Sequence, residues 1–404
     1  MSTARAAAPH LAVWGSELSP YTLKLQALLA YAALPYRMLP AGGSRWQNLA
    51  AMLRIQLATR RRSAARYPAL SALDEYPLVP FLLTDRSVAY DSSALARWLD
   101  DFYPPPPGPL IPGDPALAFA VQLIDEAFDE FGLYLVHHAR WVVSAHTNDA
   151  GERLTREFGR VLPPGAGSAF ARRFSARQVR RLPYLFSVAP ADASADGLAP
   201  ERTPPAREGF PPTQRLLTHA WEAYLEGVEA VVREQPYLLG ERFTLADASV
   251  YGQLGMNLKD PTAAEVMQRR APATFRWVCA IRDCQHVGSR GSLMLSTRLR
   301  GLFDAISRTF VPLMMQNAAA YDAARARGER LFNERAFDRG RALYDGTLLG
   351  QNFRSVVKTF QVRVWRELCD AWRVLDPAAR VPLLRVLPPG GPFSDTPSGL
   401  ATAR

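Results

Sequence analysis

Apolar positions in this chain change period several times, and each change marks an element. HLAVW, residues 10–14, is a short apolar run closed by Gly15, the signature of a buried strand. From Pro20, apolar residues recur at Leu23, Leu25, Leu28, Leu29 and Ala32, a helical stripe that stops near Leu34-Pro35. YRML, 36–39, predicts a second strand. A strand, a helix and a strand in this short span make the βαβ unit of a parallel sheet. Residues 44–66 predict a basic helical insert. VPFLLT, 79–84, then predicts a strand, Asp85-Arg86 a turn, and SVAY, 87–90, an antiparallel partner. Asp91 or Ser92 caps a helix running through Leu99, because a short polar side chain satisfies free amides there.

The second half of the chain is dominated by helical periodicity. YPPPPGPLIPGDP, 103–115, holds seven prolines in thirteen residues and predicts a stiff linker. Residues 116–145 predict one long amphipathic helical segment. Residues 187–213 are rich in Pro, Ala and Gly and predict a long loop; 213–232 returns to a helix. Residues 295–316 are helical as well. RALYDGTLL, 341–349, places Asp345-Gly346 between apolar runs, a hairpin signal. In 352–372, Phe353, Val356, Val357, Phe360, Val364 and Leu368 share a face, predicting a packed helix. The tail from 386 to 404 predicts disorder.

Composition narrows the class. The 404 residues are 48% hydrophobic, enough for two or three packed domains. No apolar run is long enough to span a membrane, and MSTARAAAPH lacks the apolar core of a secretory signal. Three cysteines, Cys279, Cys284 and Cys369, do not make a disulfide framework and point to a reducing cytoplasm. Their spacing does not suit zinc, so no metal is expected. The net charge is +10. Residues 41–73 carry Arg45, Arg54, Arg60, Arg61, Arg62 and Arg66 with no acid, and residues 153–181 carry eight arginines. Such runs are solvated faces, or they meet an anionic ligand, an acidic membrane surface or nucleic acid. No nucleic-acid motif supports the last, because aromatic residues do not interleave with the arginines.

The β-α-β, long connection, β-β-α order of the first hundred residues is that of a thioredoxin-like domain. VWGSELSPYTLK, Leu34-Pro35-Tyr36, Leu78-Val79-Pro80 and Asp91-Ser92-Ser93-Ala94-Leu95 together resemble the glutathione transferase superfamily. PYLLGERFTLADASVYGQL, 236–254, is similar to that family's helical-domain signature, with Thr244 and Asp247 spaced as a capping box. The resemblance implies an α/β thioredoxin-like N-terminal domain followed by an all-α domain. Its expected divisions are residues 8–103, with an insert at about 42–73, a linker at 104–115, helices at 116–290, and an extension at 291–385. Two features depart from the family. The 44 residues between Pro35 and Pro80 exceed its usual connection, and nothing in its compact members matches the residues beyond about 285.

The site expectations rest on this resemblance beside local chemistry. Ser19 stands at the amino end of the first helix, where amides and the helix dipole favour negative charge. It is either a plain helix cap, or it donates a hydrogen bond to the glutathione sulfur and lowers the thiol's pKa. Tyr21 and Ser16 are possible substitutes, and Lys24 is expected on the helix surface. Pro80 is either cis, which lets the Val79 backbone pair with a peptide ligand, or an ordinary trans proline. Asp91 and Ser92 suit the γ-glutamyl carboxylate, with Asp91 replacing the family's usual Glu. An arginine of the insert is expected at the glycyl carboxylate, with no single residue singled out. Tyr134, His138 and Trp141 are expected near an electrophile pocket, Arg140 equally so. The other reading of the histidine is packing.

The resemblance implies an enzyme that activates glutathione for attack on an apolar electrophile, with a homodimer expected. The rival is a non-catalytic binding or assembly protein of the same fold; isomerase or dehalogenase chemistry is a further option. No cysteine occupies the first 278 residues, so no dithiol redox mechanism is expected in this domain.

Overall fold

The structure, a computed structural model, describes residues 10–60, 65–66, 73, 79–186 and 210–394. Its first part is a five-stranded sheet in the order β2-β1-β4-β5-β3. β1 (Leu11–Trp14) pairs in parallel with β2 (Tyr36–Leu39), Leu11 opposite Tyr36. β4 (Phe81–Leu83) runs antiparallel to β1 and to β5 (Val88–Tyr90). The two-residue β3 (Ala65–Arg66) adds in parallel to β5. Helix α1 (Pro20–Tyr31) connects β1 to β2, α2 (Arg45–Arg60) follows β2, and α3 (Ser92–Phe102) follows β5. The strand–helix–strand order matches the sequence expectation through this region, including the turn at Asp85-Arg86. Arg61, Arg62 and most of the segment before Val79 lie outside the described residues.

A helical body follows. The proline-rich segment is pinned rather than loose: Leu110 is fully buried, and the Asp100 carboxylate accepts the Leu110 and Ile111 amides at 2.8 and 2.9 Å. The expected long helix is continuous but interrupted by two π turns, giving α4 (Pro115–Ala127), the turn Phe128–Gly132, α5 (Leu133–His138) and the turn Ala139–Val143. Then come α6 (Ala150–Phe158), α7 (Gly167–Arg180), α8 (Leu182–Leu185) and α9 (Phe210–Val232). The loop expected over 187–213 is corrected at its end, since α9 begins at Phe210; residues 187–209 lie outside the described residues. The body continues with α10 (Leu245–Met256), α11 (Pro261–Arg270) and α12 (Pro272–Arg282). The capping box forms at α10, where the Thr244 amide donates to Asp247 Oδ2 at 2.8 Å.

The body and the first domain share one hydrophobic core, and α1 packs directly on α10. Gly252 makes that approach possible, because a Cβ there would lie 2.6 Å from the Pro20 carbonyl oxygen. Pro20 is the first residue of α1, so this contact fixes the amino end of the helix.

The C-terminal extension holds α13 (Arg300–Arg308), α14 (Phe310–Ala326), α15 (Glu334–Asp338), the hairpin β6 (Leu343–Leu348) and β7 (Gln351–Val356), α16 (Thr359–Val374) and α17 (Pro377–Leu384). Two expectations are corrected here. The hairpin turns at Leu349-Gly350, not at Asp345-Gly346, which lies inside β6. Leu349 and Gly350 have φ of 49° and 74°, the pair of positive values a tight hairpin turn requires. Gly346 is needed for space instead, since a Cβ would meet the Phe353 ring at 2.6 Å. The packed helix expected from Phe353 begins at Thr359. Phe353 and Ser355 point inward while Asn352 and Arg354 point out, the period-two alternation of a strand. Of the tail expected over 386–404, residues 386–394 are described and packed, with Phe393 buried against Phe119, Trp365 and Trp372; residues 395–404 lie outside the described residues.

Candidate functional site

Ser19 terminates the β1–α1 turn with extended backbone, φ −98° and ψ 123°, and its Oγ accepts the Thr22 amide at a long 3.4 Å. It is half-buried, and its hydroxyl donates to none of the described residues. The neighbouring hydroxyls are committed. Ser16 accepts the Leu18 amide at 3.1 Å, and Tyr21 donates to the Asp129 carbonyl at 2.7 Å.

Lys24 corrects the sequence expectation. It is not on the helix surface but 1% exposed, between Asp125 at 2.5 Å and Asp129 at 2.6 Å. Its ammonium also donates to Ser93 at 2.8 Å, and Ser93 donates to Asp129 at 3.2 Å. Burial alone would lower the lysine's pKa, but the two carboxylates more than offset it and hold the ammonium charged. Burial pushes Asp129 up to about 7 despite Lys24, and Glu126 well above the usual carboxylate range. This ionic knot ties α1 and α3 to α4.

Beside the knot lies a cleft of about 230 Å³, a little under the roughly 300–1,000 Å³ typical of small-molecule sites. Three parts of the chain wall it. The first domain contributes Tyr21, Val79, Pro80, Asp91 and Ser92 among others; the helical body contributes Glu126, Asp129, Glu130, Tyr134, Arg181 and Tyr184; the extension contributes Lys358, Phe360, Gln361, Arg363 and Glu367. The Val79-Pro80 bond is cis. Asp91 is the N-cap of α3, its Oδ1 taking the Ala94 amide at 3.0 Å. It holds φ of 76°, a conformation that costs a non-glycine residue energy and recurs at ligand-binding positions. Asp91 Oδ2 faces Arg363 at 3.6 Å, and Arg363 in turn donates to Glu367 at 2.7 Å and lies over the Phe360 ring.

Of the residues singled out in the sequence, the structure brings Val79, Pro80, Asp91, Ser92 and Tyr134 to this cleft. Ser19 is not among its lining residues, although Tyr21, in the first turn of the helix that Ser19 caps, is. Tyr134 is engaged by the extension: Gln361 donates to its hydroxyl at 2.7 Å, and the Lys358 ammonium lies 5.4 Å from its ring centre. His138 and Trp141 are elsewhere. His138 is buried with Nε2 2.9 Å from the Thr218 hydroxyl, and burial lowers its pKa to about 4. Trp141 packs with Leu18, Leu154 and Val179. Arg140 is also withdrawn, donating to Asp260 at 2.8 and 3.1 Å and to the Leu18 carbonyl at 3.1 Å. It is thus a strut beneath the β1–α1 turn. Sequence reading missed Lys358, Gln361 and Arg363. Their signal was the polar pair Gln361 and Arg363 inside the apolar run TFQVRVW, where a helix would otherwise bury aliphatic side chains.

Residues 14–107 match the family model described as the glutathione S-transferase N-terminal domain. Among solved structures, the chain is similar to a glutathione S-transferase from Rhodospirillum rubrum F11 at 17% identity, covering 72% of this chain and 91% of that one, with a TM-score of 0.36. It is similar to one from Methylobacterium radiotolerans, solved with glutathione sulfonate, at 18% identity, with 70% and 96% covered and a TM-score of 0.36. A glutathione S-transferase of Ceriporiopsis subvermispora, in complex with glutathione, matches at 18% identity, with 69% and 100% covered and a TM-score of 0.42. No curated protein sequence matches the chain.

Proposed function

We propose that this chain, which carries a glutathione S-transferase N-terminal domain on a glutathione transferase-like architecture, binds glutathione in the cleft and activates its thiol. The observation that carries the reading is the convergence of Val79, Asp91 and Ser92 on one end of the cleft, at the amino end of α3. Free amides and a helix dipole there favour a carboxylate such as that of a γ-glutamyl group. The Val79 backbone suits the extended cysteinyl unit. Arg97, Arg181, Lys358 and Arg363 add cationic groups around the cleft, which fits a ligand carrying two carboxylates. Solved relatives containing glutathione or its sulfonate support the same ligand class.

Ser19, which stands at the amino end of α1 just outside the cleft lining, is the hydroxyl proposed to steady a sulfur anion there. Tyr21 has given its proton to the Asp129 carbonyl, whereas Ser19 donates to none of the described residues. The electrophile would be a small apolar compound; Tyr134, Leu133, Tyr184 and Leu185 supply the apolar part of the cleft wall. Retention on immobilised glutathione, followed by calorimetric titration of Asp91→Asn and Ser92→Ala, tests the reading. Both variants should weaken glutathione by about tenfold, Ser92→Ala through a lost charge-assisted hydrogen bond to the γ-glutamyl carboxylate and Asp91→Asn through a weakened ion pair with the γ-glutamyl ammonium. Unchanged affinity would contradict it.

A second reading is favoured by one contact. Arg363 sits against Asp91, so the extension competes for the end of the cleft assigned to the γ-glutamyl group. On that reading the fold serves binding or assembly without transfer. It predicts no retention on glutathione even at millimolar concentration.

A further inference from the structure

Helix α2 has two apolar faces, and only one of them is used. Asn48, Ala51 and Ala58 face inward, with Met52 and Ile55 partly covered, against the outer side of the sheet at Trp14, Leu39, Phe81, Val88 and Tyr90. Trp46, Leu49, Leu53 and Leu57 face the opposite way. They are 77%, 42%, 50% and 48% exposed, four of the ten exposed large apolar residues among the described ones, all four on one helix face. At 3.6 residues per turn these four side chains fall within about 80° of one another. Helical propensity explains a leucine in a helix, but not four large apolar side chains aligned on its solvent side.

The charge around the stripe is one-sided. Arg45 precedes Trp46, Arg60 continues the stripe beyond Leu57, and no acid occurs anywhere from 41 to 73. Arg54 flanks it and donates to the Ser87 and Thr84 carbonyls of the β4–β5 turn, which adds Arg86 and one acid, Asp85. Arg160, from beyond α6, donates to the Gly43 carbonyl at 2.7 Å, at the amino end of the same helix. A second copy of this face would meet it arginine to arginine, which disfavours self-association. An anionic bilayer supplies what the face lacks on both counts, acyl chains for the stripe and phosphate or carboxylate groups for the arginines. Tryptophan at the rim of such a helix sits well at headgroup depth.

We infer that the outer face of α2 docks on anionic membranes, through Trp46, Leu49, Leu53 and Leu57 flanked by Arg45 and Arg60. The helix lies in the plane of the interface. No described helix is long and apolar enough to cross a membrane, so the association is peripheral and salt-sensitive.

Co-sedimentation of the full chain with phosphatidylcholine vesicles, with and without phosphatidylserine, tests this. The chain should partition onto the phosphatidylserine vesicles and be released by high salt. Leu53→Glu and Leu57→Glu should each reduce partitioning by about tenfold or more. Arg45→Gln and Arg60→Gln should each reduce it by about fivefold. All four positions are exposed, so thermal unfolding should match the parent and folding defects are separable. Absence of sedimentation with anionic vesicles would overturn the inference, as would equal binding to neutral ones or indifference to the leucine variants. So would a concentration-dependent dimer that Leu53→Glu dissociates, since it would make a second copy the occupant.

Discussion

Helices α1 and α2 follow successive strands of one sheet and treat their side chains in opposite ways. α1 buries an ammonium, Lys24, while α2 leaves Trp46, Leu53 and Leu57 in water. Side-chain class explains neither. Lys24 is inside because Asp125, Asp129 and Ser93 surround it at hydrogen-bond distance. The α2 residues are outside because the sheet offers only one face to that helix, already filled from the other side. Burial follows available partners, and in this chain a residue that breaks the usual rule marks a junction: Lys24 locks two domains beside the cleft, and α2 offers a surface.

The largest expected effect comes from removing the buried ammonium. Lys24→Met leaves two buried carboxylates without their cation, which should cost about 3–5 kcal/mol in urea unfolding. A loss below about 1 kcal/mol would mean the contrast with α2 carries no energetic weight.

His138 sharpens the same comparison, being a buried cation-former that lacks a carboxylate. Its pKa is lowered to about 4, and that of His137 to about 3, burial being the main cause. Around His137 stand Gln178, Arg181, Arg140 and His138; Thr218 faces His138. The folded state therefore binds fewer protons than the unfolded one below the unfolded pKa of about 6.5. The stability is intact above that pH and lost as pH falls towards 4, by up to about 3 kcal/mol for His138. Asp100, Asp129 and Asp247, raised to about 6, 7 and 6 chiefly by burial, act in the opposite sense. The signature is thus the parent's stability minus that of His138→Gln, which should be constant above pH 6.5 and fall, against the parent, as pH drops towards 4. A pH-independent difference would contradict a neutral buried imidazole.

Ser19→Ala should cost about 1 kcal/mol as a lost cap, read from thermal melts. Leu53→Glu should change stability by no more than about 0.5 kcal/mol, because that side chain is half exposed and joins no hydrophobic cluster among the described residues. If it destabilised the chain substantially, the outer face of α2 would have a partner within the molecule.

Much of the first domain was legible because its signals are local. The run LAVW, the stripe from Pro20, the turn at Asp85-Arg86 and the cap at Asp91 each lie within one element, and the structure has them where the periodicity puts them. Lys24 was not legible, since its carboxylates stand more than a hundred residues along the chain. The hairpin was misread because Asp345-Gly346 is a strong turn signal, while Leu349 in a left-handed conformation gives none. Candidate site residues divide along the same line. Asp91 and Ser92 follow from a helix terminus next to them in sequence. Arg363 reaches Asp91 only through the packing of a whole extension. Tyr134 and His138 share α5 and Trp141 lies in the π turn that follows it, yet only Tyr134 lines the cleft, because His138 is drawn to Thr218 on α9.

The central claim is a sulfur anion at the amino end of α1. Titrating the ultraviolet absorbance of the thiolate in the glutathione complex against pH tests it directly. Bound thiol should ionise about two units below the free value of about 8.5, and Ser19→Ala should return it towards that value. A bound thiol that ionises like free glutathione, or a depression untouched by Ser19→Ala, would contradict the account.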